Sequence, residues 1–167
     1  TADLAIRKVA ALEALSRRAE PLPAKWLDSI AIDPNLWPTS AVIDWYLILK
    51  RQPKLPRHEE RMKAAEQILR SRLNFQGTTM GFSTERDDYL WWLMLSADVN
   101  ANRAILALLE DEQWQEDLPR MVRGSLGRQV RGHWGTTTAN AWGVVAMERF
   151  AARFENEPLG GTTVSTF

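Results

Sequence analysis

Apolar residues recur along this chain at steps of three and four, the period of a helix with one face turned from water. In residues 2–20, Leu4, Ala11, Leu12 and Leu15 share a face, while Arg7, Glu13, Arg17 and Arg18 lie elsewhere. Pro21 and Pro23 end that helix, because proline breaks the backbone hydrogen-bond ladder. Residues 25–31 read as a short turn. Pro38 is tolerated in a first helical turn and opens a helix to about Lys50. A proline-bearing loop follows over 52–57. Residues 57–73 form a second amphipathic helix, with Met62, Ala65, Leu69 and Leu73 as its stripe. Residues 74–81 read as a Gly/Thr loop. Ser83 or Thr84 is placed to cap the next helix, with Asp87 in its first turn. That helix is expected to run to about Ala97, followed by a turn over 98–102 and a short helix over 103–110. Leu118, Val122, Leu126 and Val130 recur every four residues, with Met121 alongside, which predicts a helix over 115–131. Gly124 and Gly127 cost that helix roughly 1 kcal/mol each relative to alanine, so a bend or a close approach is expected there. The last helix is predicted over 137–154. The tail 160–167, GGTTVSTF, is β-branched and reads as a strand of a following unit. Other strand signals are weak, and the expected class is all-α.

Three segments are alike: LWPTSAVIDWYLIL (36–49), GFSTERDDYLWWLML (81–95) and HWGTTTANAWGVVAM (133–147). Each begins with an aromatic, Trp37, Phe82 or Trp134. Each continues with Ser/Thr, and each places a large apolar residue, Trp45, Leu90–Trp91 or Trp142, well down the following helix. The starts are spaced for one helical hairpin per repeat. The helices opened by this signal, 42–49, 89–97 and 141–152, are apolar nearly all round, which predicts burial on both sides. Those between, 57–73 and 115–131, are charged and amphipathic. Alternating inner and outer helices describe an α/α toroid, here a partial ring of hairpins. A straight α-solenoid shares the period, but its helices are usually amphipathic in both layers.

Composition narrows the function classes. The 167 residues suit one domain with a real core. Twenty-one basic side chains balance twenty-one acidic ones, so no net field points to nucleic acid or to an anionic membrane. No apolar run approaches the ~20 residues of a membrane span. Without cysteine there is no disulfide, thiolate nucleophile or cysteine-ligated zinc. The chain opens at Thr1 rather than methionine and is read as a piece of a longer protein, with a helical domain over 1–157 and a tail over 158–167.

Two resemblances arise at the repeats. Terpene cyclases and prenyltransferases are α/α toroids whose repeats carry a glutamine, then a glycine and a tryptophan before an inner helix. Gln76…Gly81–Phe82 and Gln129…Gly132–His133–Trp134 are similar, and Asp87–Asp88 resembles a fragment of an acidic cyclase motif. The spacing differs between the two copies, and the likeness is taken as shared architecture. The second resemblance is closer. GHWGTTTANAWGVVAMERFAARFE (132–155), with GFSTERDDYLWWLML upstream and the GTT tail after it, resembles the later part of the thioester-type helical domain of bacterial α2-macroglobulin-like proteins. The likeness spans residues 37–163. It implies a non-enzymatic module in a large periplasmic or envelope-anchored protein that traps proteases. Its partners would be other domains of the parent chain, including a β-rich module after the tail, and the trapped proteases. It implies no nucleic acid, no direct membrane insertion and no cofactor. The family's thioester needs a Cys-x-Glu-Gln motif, and this chain has no cysteine, so no thioester chemistry resides in it.

The remaining chemistry is weighed residue by residue. Asp44, Asp87 and Asp88, near inner-helix starts, are carboxylates that a glycosidase could use. They define the alternative, a fragment of an α/α-toroid enzyme acting on a glycan or isoprenoid. The helix dipole explains carboxylates at such positions more cheaply. The inner-helix N-termini and their hydroxyls would favour an anion if they gathered at one end, but capping is the simpler role. His58 is read as solvated. His133 lies beside Thr136–Thr138 and would meet Asp87 or Asp88 if the loops converged, yet no orienting signature marks a nucleophile, and two histidines are a poor zinc set. Trp45, Trp91, Trp92 and Trp142 are expected in the core, with Trp26 and Trp114 partly exposed. Arg120, Arg123, Arg128 and Arg131 read as the wet face of an outer helix, with an interdomain salt-bridge surface as runner-up. No catalytic, cofactor or metal residue is assigned.

Overall fold

A computed structural model of the chain describes residues 2–18, 20–82 and 90–155. Among these, seven α-helices and one small hairpin are present: α1 (Ala2–Ser16), α2 (Ala24–Asp28), α3 (Thr39–Arg51), α4 (His58–Ser71), β1 (Leu73–Gln76), β2 (Thr79–Phe82), α5 (Ala97–Leu108), α6 (Leu118–Leu126) and α7 (Thr137–Phe154). The expected all-α class holds with that one exception. Helices α1, α3, α5 and α7 pack in chain order, each against the next, while α4 lies on α3, and α6 with β2 lies on α5. One apolar cluster runs through them from Ile6 to Phe154, and a smaller one gathers Val99, Trp134 and Ala139 between α5 and α7.

Helix α3 is the centre of this layer. Its run Thr39–Tyr46 is buried without a break, as a helix apolar all round requires. The same expectation fails for α7. Ala139, Gly143, Ala146 and Phe150 are buried, but Val144 is 64% and Val145 43% exposed. Helix α7 packs on α5 and ends the row, so its far side meets no other element among the described residues.

The hairpin corrects the loop expected over 74–81. Leu73 pairs with Phe82, Asn74 with Gly81, Phe75 with Met80 and Gln76 with Thr79. The alternating Phe, Thr and Met residues carry β propensity, and Gly77, at φ +61°, makes the tight turn. The close approach expected in the 115–131 helix occurs at Gly124. A Cβ there would sit 2.1 Å from the Met80 carbonyl oxygen, so glycine lets α6 lie directly on the β2 backbone. Helix α6 stops at Leu126, and Val130, expected on its stripe, is exposed in the bridge to His133.

The helix expected from 83 to 97 is also corrected. Residues 83–89, with the predicted caps Ser83 and Thr84 and with Asp87, lie outside the described residues. Residues Trp91–Leu93 form a single 3₁₀ turn closed by Met94 at φ +57°. The long helix starts later, at Ala97, where Ser96 accepts a hydrogen bond from the Val99 N–H at 3.3 Å and Asp98 lies in the first turn. Ser96–Ala97–Asp98 is itself a cap followed by an acid. The helix after α4 and the hairpin is therefore α5, and the turn expected over 98–102 is helical.

Candidate functional site

Three helices of the row converge on a charged seam. Glu13 of α1 is buried, and its carboxylate accepts from Arg51 Nη1 of α3 at 2.6 Å and from Arg17 Nη2 at 3.0 Å. Asp44, also on α3, is buried and pairs with Arg103 of α5. The Arg103 guanidinium lies 5.5 Å from the centre of the Trp142 ring on α7. Helical spacing creates the arrangement. Asp44 and Arg51 stand seven residues apart on one face of α3, which turns one toward Arg103 and the other toward Glu13.

Two hollows flank Arg103. One of about 240 Å³ is lined by Glu13, Ser40, Asp44 and Leu95, and the other, of about 280 Å³, by Arg17, Arg51, Leu106 and Trp142. Burial pushes the Asp44 carboxyl up, against the opposing pull of Arg103. Burial also pushes on Glu13, but hydrogen bonds and charge from Arg51 and Arg17 more than offset it and hold its carboxyl below the ordinary range. The two acids are thus driven in opposite directions beside one hollow. Each is also engaged by a guanidinium, Glu13 through both oxygens and Asp44 through Oδ1. Sequence reasoning found Asp44 and missed Glu13. The signal was present as an acid on the apolar side of a helix, between Leu12 and Ser16.

The sign for Glu13 sets a testable pH dependence. A carboxylate held below its unfolded value stabilises the fold above that value, here near 4.5, and the contribution is lost as pH falls through the folded value. Glu13→Gln is expected to flatten the decline of unfolding free energy below about pH 4.5. Urea titrations of both proteins at stepped pH check this. Parallel acid limbs would show that Glu13 carries no such linkage.

The other candidates fall outside this seam. Asp87 and Asp88, and with them the proposed pairing with His133, lie outside the described residues, as does the tail 158–167. His133 is exposed, and its Nδ1 lies 3.1 Å from the Trp134 carbonyl oxygen. His58 is not simply solvated: its Nε2 lies 2.9 Å from the Leu49 carbonyl at the end of α3. No group of three or more His, Asp or Glu side chains is placed to hold a metal ion among the described residues. Of the arginines expected on a wet face, Arg123 and Arg131 are exposed and Arg120 and Arg128 half-buried, and three of them also contact the chain. Arg123 donates to the Thr78 carbonyl at 2.9 Å, Arg128 pairs with Asp98 at 2.5 Å and Arg120 lies over the Phe75 ring.

The threonine–tryptophan stretch around 132–142 is a latch between helices. Thr136 accepts from the Ala139 N–H at 3.1 Å and caps α7. Trp134 wedges between α5 and α7, with its indole N–H donating to the Ser125 carbonyl at 3.0 Å. Asn140 closes the loop: its Nδ2 donates to the Trp134 and Thr136 carbonyls, and its Oδ1 accepts the Trp134 N–H. The capping role is not repeated at α3. Pro38 takes the cap position, Thr39 Oγ1 accepts from Arg72, and Ser40 Oγ is buried without a hydrogen-bond partner among the described residues.

The tryptophans redistribute. Trp45 is in the core as expected, edge-on to Trp37 at 5.6 Å. Trp91 and Trp92, expected there too, are 67% and 52% exposed, and Trp142 is half-buried. Trp26 is exposed, as read, but Trp114 is fully buried. Acids around Trp114 suggested solvent, yet they serve other ends: Asp111 accepts from Tyr46 and pairs with Lys50, and Asp117 pairs with Arg70.

Comparison of the chain with protein-family models, with curated proteins and with solved structures gives no match.

Proposed function

We propose that the chain is a non-enzymatic helical module, part of an α/α toroid, in a bacterial α2-macroglobulin-like protein of the periplasm or cell envelope. It would contribute to protease entrapment, with other domains of its own parent chain as its direct partners. The observation that carries this reading is the latch. The stretch on which the resemblance rests, 132–155, has an architectural part: Trp134 wedges neighbouring helices and Thr136 caps the next one. The packing of α1, α3, α5 and α7 in order, with α4 and α6 behind, supports the hairpin arc. Exposed Trp91, Trp92 and Met94 supply apolar surface for contact with other domains. The test uses the parent protein with a broad-specificity protease. Entrapment leaves cleavage of a small chromogenic peptide intact while abolishing cleavage of a large protein substrate. Equal loss or equal retention of both activities would refute the role.

A second reading has one observation in its favour. Glu13 and Asp44 line a single hollow with their carboxyls pushed apart, the arrangement that divides acid from base in a glycosidase. It is the weaker reading, because Arg51, Arg17 and Arg103 occupy those carboxylates. Hydrolysis of aryl glycosides by the purified chain, lost in Asp44→Asn and Glu13→Gln, would establish it; no turnover is expected.

A further inference from the structure

The segment 24–37, α3 and α4 together line a pocket of about 540 Å³. Volumes of this order hold small organic molecules. Its floor is the edge-on pair Trp37 and Trp45, and its walls include Ile30, Ile32 and Ile68. The Trp37 indole N–H is already satisfied by the Ile32 carbonyl at 2.9 Å, so this ring offers its surface and makes no polar demand.

The rim carries three acids and two bases, Asp28, Asp33, Glu60, Arg57 and Arg61. Four of these cancel in pairs: Arg61 with Asp28 at 2.8 Å, and Arg57 with Glu60. Asp33 is left. One of its oxygens accepts the Asn35 N–H at 2.8 Å, and no cation pairs with it among the described residues. A well of mixed apolar and charged lining over two indoles, with the exposed Asp33 carboxylate on its lip and unpaired among the described residues, discriminates by charge. It favours a positive group, through Asp33 and through the negative ring faces, and disfavours an anion.

We propose that this pocket binds a small organic cation with an apolar body, the body seated on Trp37 and Trp45 and the positive group at Asp33. The inference does not depend on the proposed role of the whole protein. The probes are n-octylammonium, n-octanol and octanoate, each below its aggregation concentration, titrated against the isotope-labelled chain while the Trp37 indole N–H resonance is followed. Octylammonium is expected to shift that resonance saturably and to bind more tightly than octanol, with octanoate weakest. Asp33→Asn keeps the acceptor for Asn35 and is expected to reduce the advantage of octylammonium over octanol about threefold to fivefold. Ala64→Phe, an exposed position at the mouth, is expected to weaken all three probes while leaving the helical circular dichroism unchanged. The proposal fails if octanoate binds as well as octylammonium, if Asp33→Asn leaves the preference intact, or if Ala64→Phe leaves octylammonium binding unaltered.

Discussion

Trp114→Ala is expected to lower the unfolding free energy by about 3–5 kcal/mol, and Trp142→Ala by clearly less, about 1–2 kcal/mol. Trp114 closes a 3₁₀ turn, Glu112–Trp114, and is 0% exposed. The Arg70 guanidinium lies 3.8 Å from its ring centre, held there by Asp117 at 3.0 Å and by the Gln113 carbonyl at 2.7 Å. Truncation therefore leaves a cavity walled by fully buried neighbours such as Leu118 and Leu108, and it strips a stacked cation of its partner. Trp142 is half-buried beside a hollow that already exists, so its loss creates little new void. Urea unfolding followed by far-ultraviolet circular dichroism separates the two. A cost for Trp142→Ala equal to or above that for Trp114→Ala would mean that burial does not order these sites.

The second large effect is expected at Gly143. Alanine in the middle of a helix normally stabilises relative to glycine by up to about 1 kcal/mol. At Gly143 the sign reverses, because a Cβ would lie 2.2, 2.5 and 2.6 Å from three ring carbons of Trp134. The ring cannot step aside cheaply. Its N–H is bound to the Ser125 carbonyl and its backbone is held by Asn140. Gly143→Ala should cost about 2–3 kcal/mol, within the range of overpacking. Gly135→Ala is the control. Its nearest neighbour outside the loop is Asp98 Oδ2 at 3.9 Å, so a change within about 0.5 kcal/mol is expected. Combined with Trp134→Ala, the Gly143 substitution should lose most of its cost, a coupling of at least about 1 kcal/mol. Simple additivity would show that the ring and the glycine do not meet.

These two sites also mark where sequence reasoning held and where it failed. The limits of α7 and the cap Thr136 are both legible in the sequence, because they follow from local signals: a hydroxyl before the helix, and an apolar run free of proline. The amphipathic α4 followed for the same reason. The charged seam was half legible. Asp44 stood out as an acid in an apolar helix, whereas Glu13 passed as one charge among several on α1, since its burial depends on Arg51 arriving from another helix. The pocket over Trp37 and Trp45 was not legible at all. It lies where the segment 24–37 meets α3 and α4, an approach that no local pattern encodes.

The sequence by itself determined the helical class, the limits of α3, α4 and α7, the balance of charge and the absence of cysteine chemistry. Each depends only on a residue and its near neighbours along the chain. Tertiary structure alone decided which tryptophans are buried. Trp114 lies among acids that turn away to Lys50 and Arg70, while Trp91 and Trp92 lie in an apolar run that points outward. It also decided that Gly143 and Gly124 are contact points, and that Val144 and Val145 of α7, the last helix of the row among the described residues, are exposed. Burial is a property of the space between elements, and hydropathy along one element fixes how much apolar surface it offers, not which partner covers it.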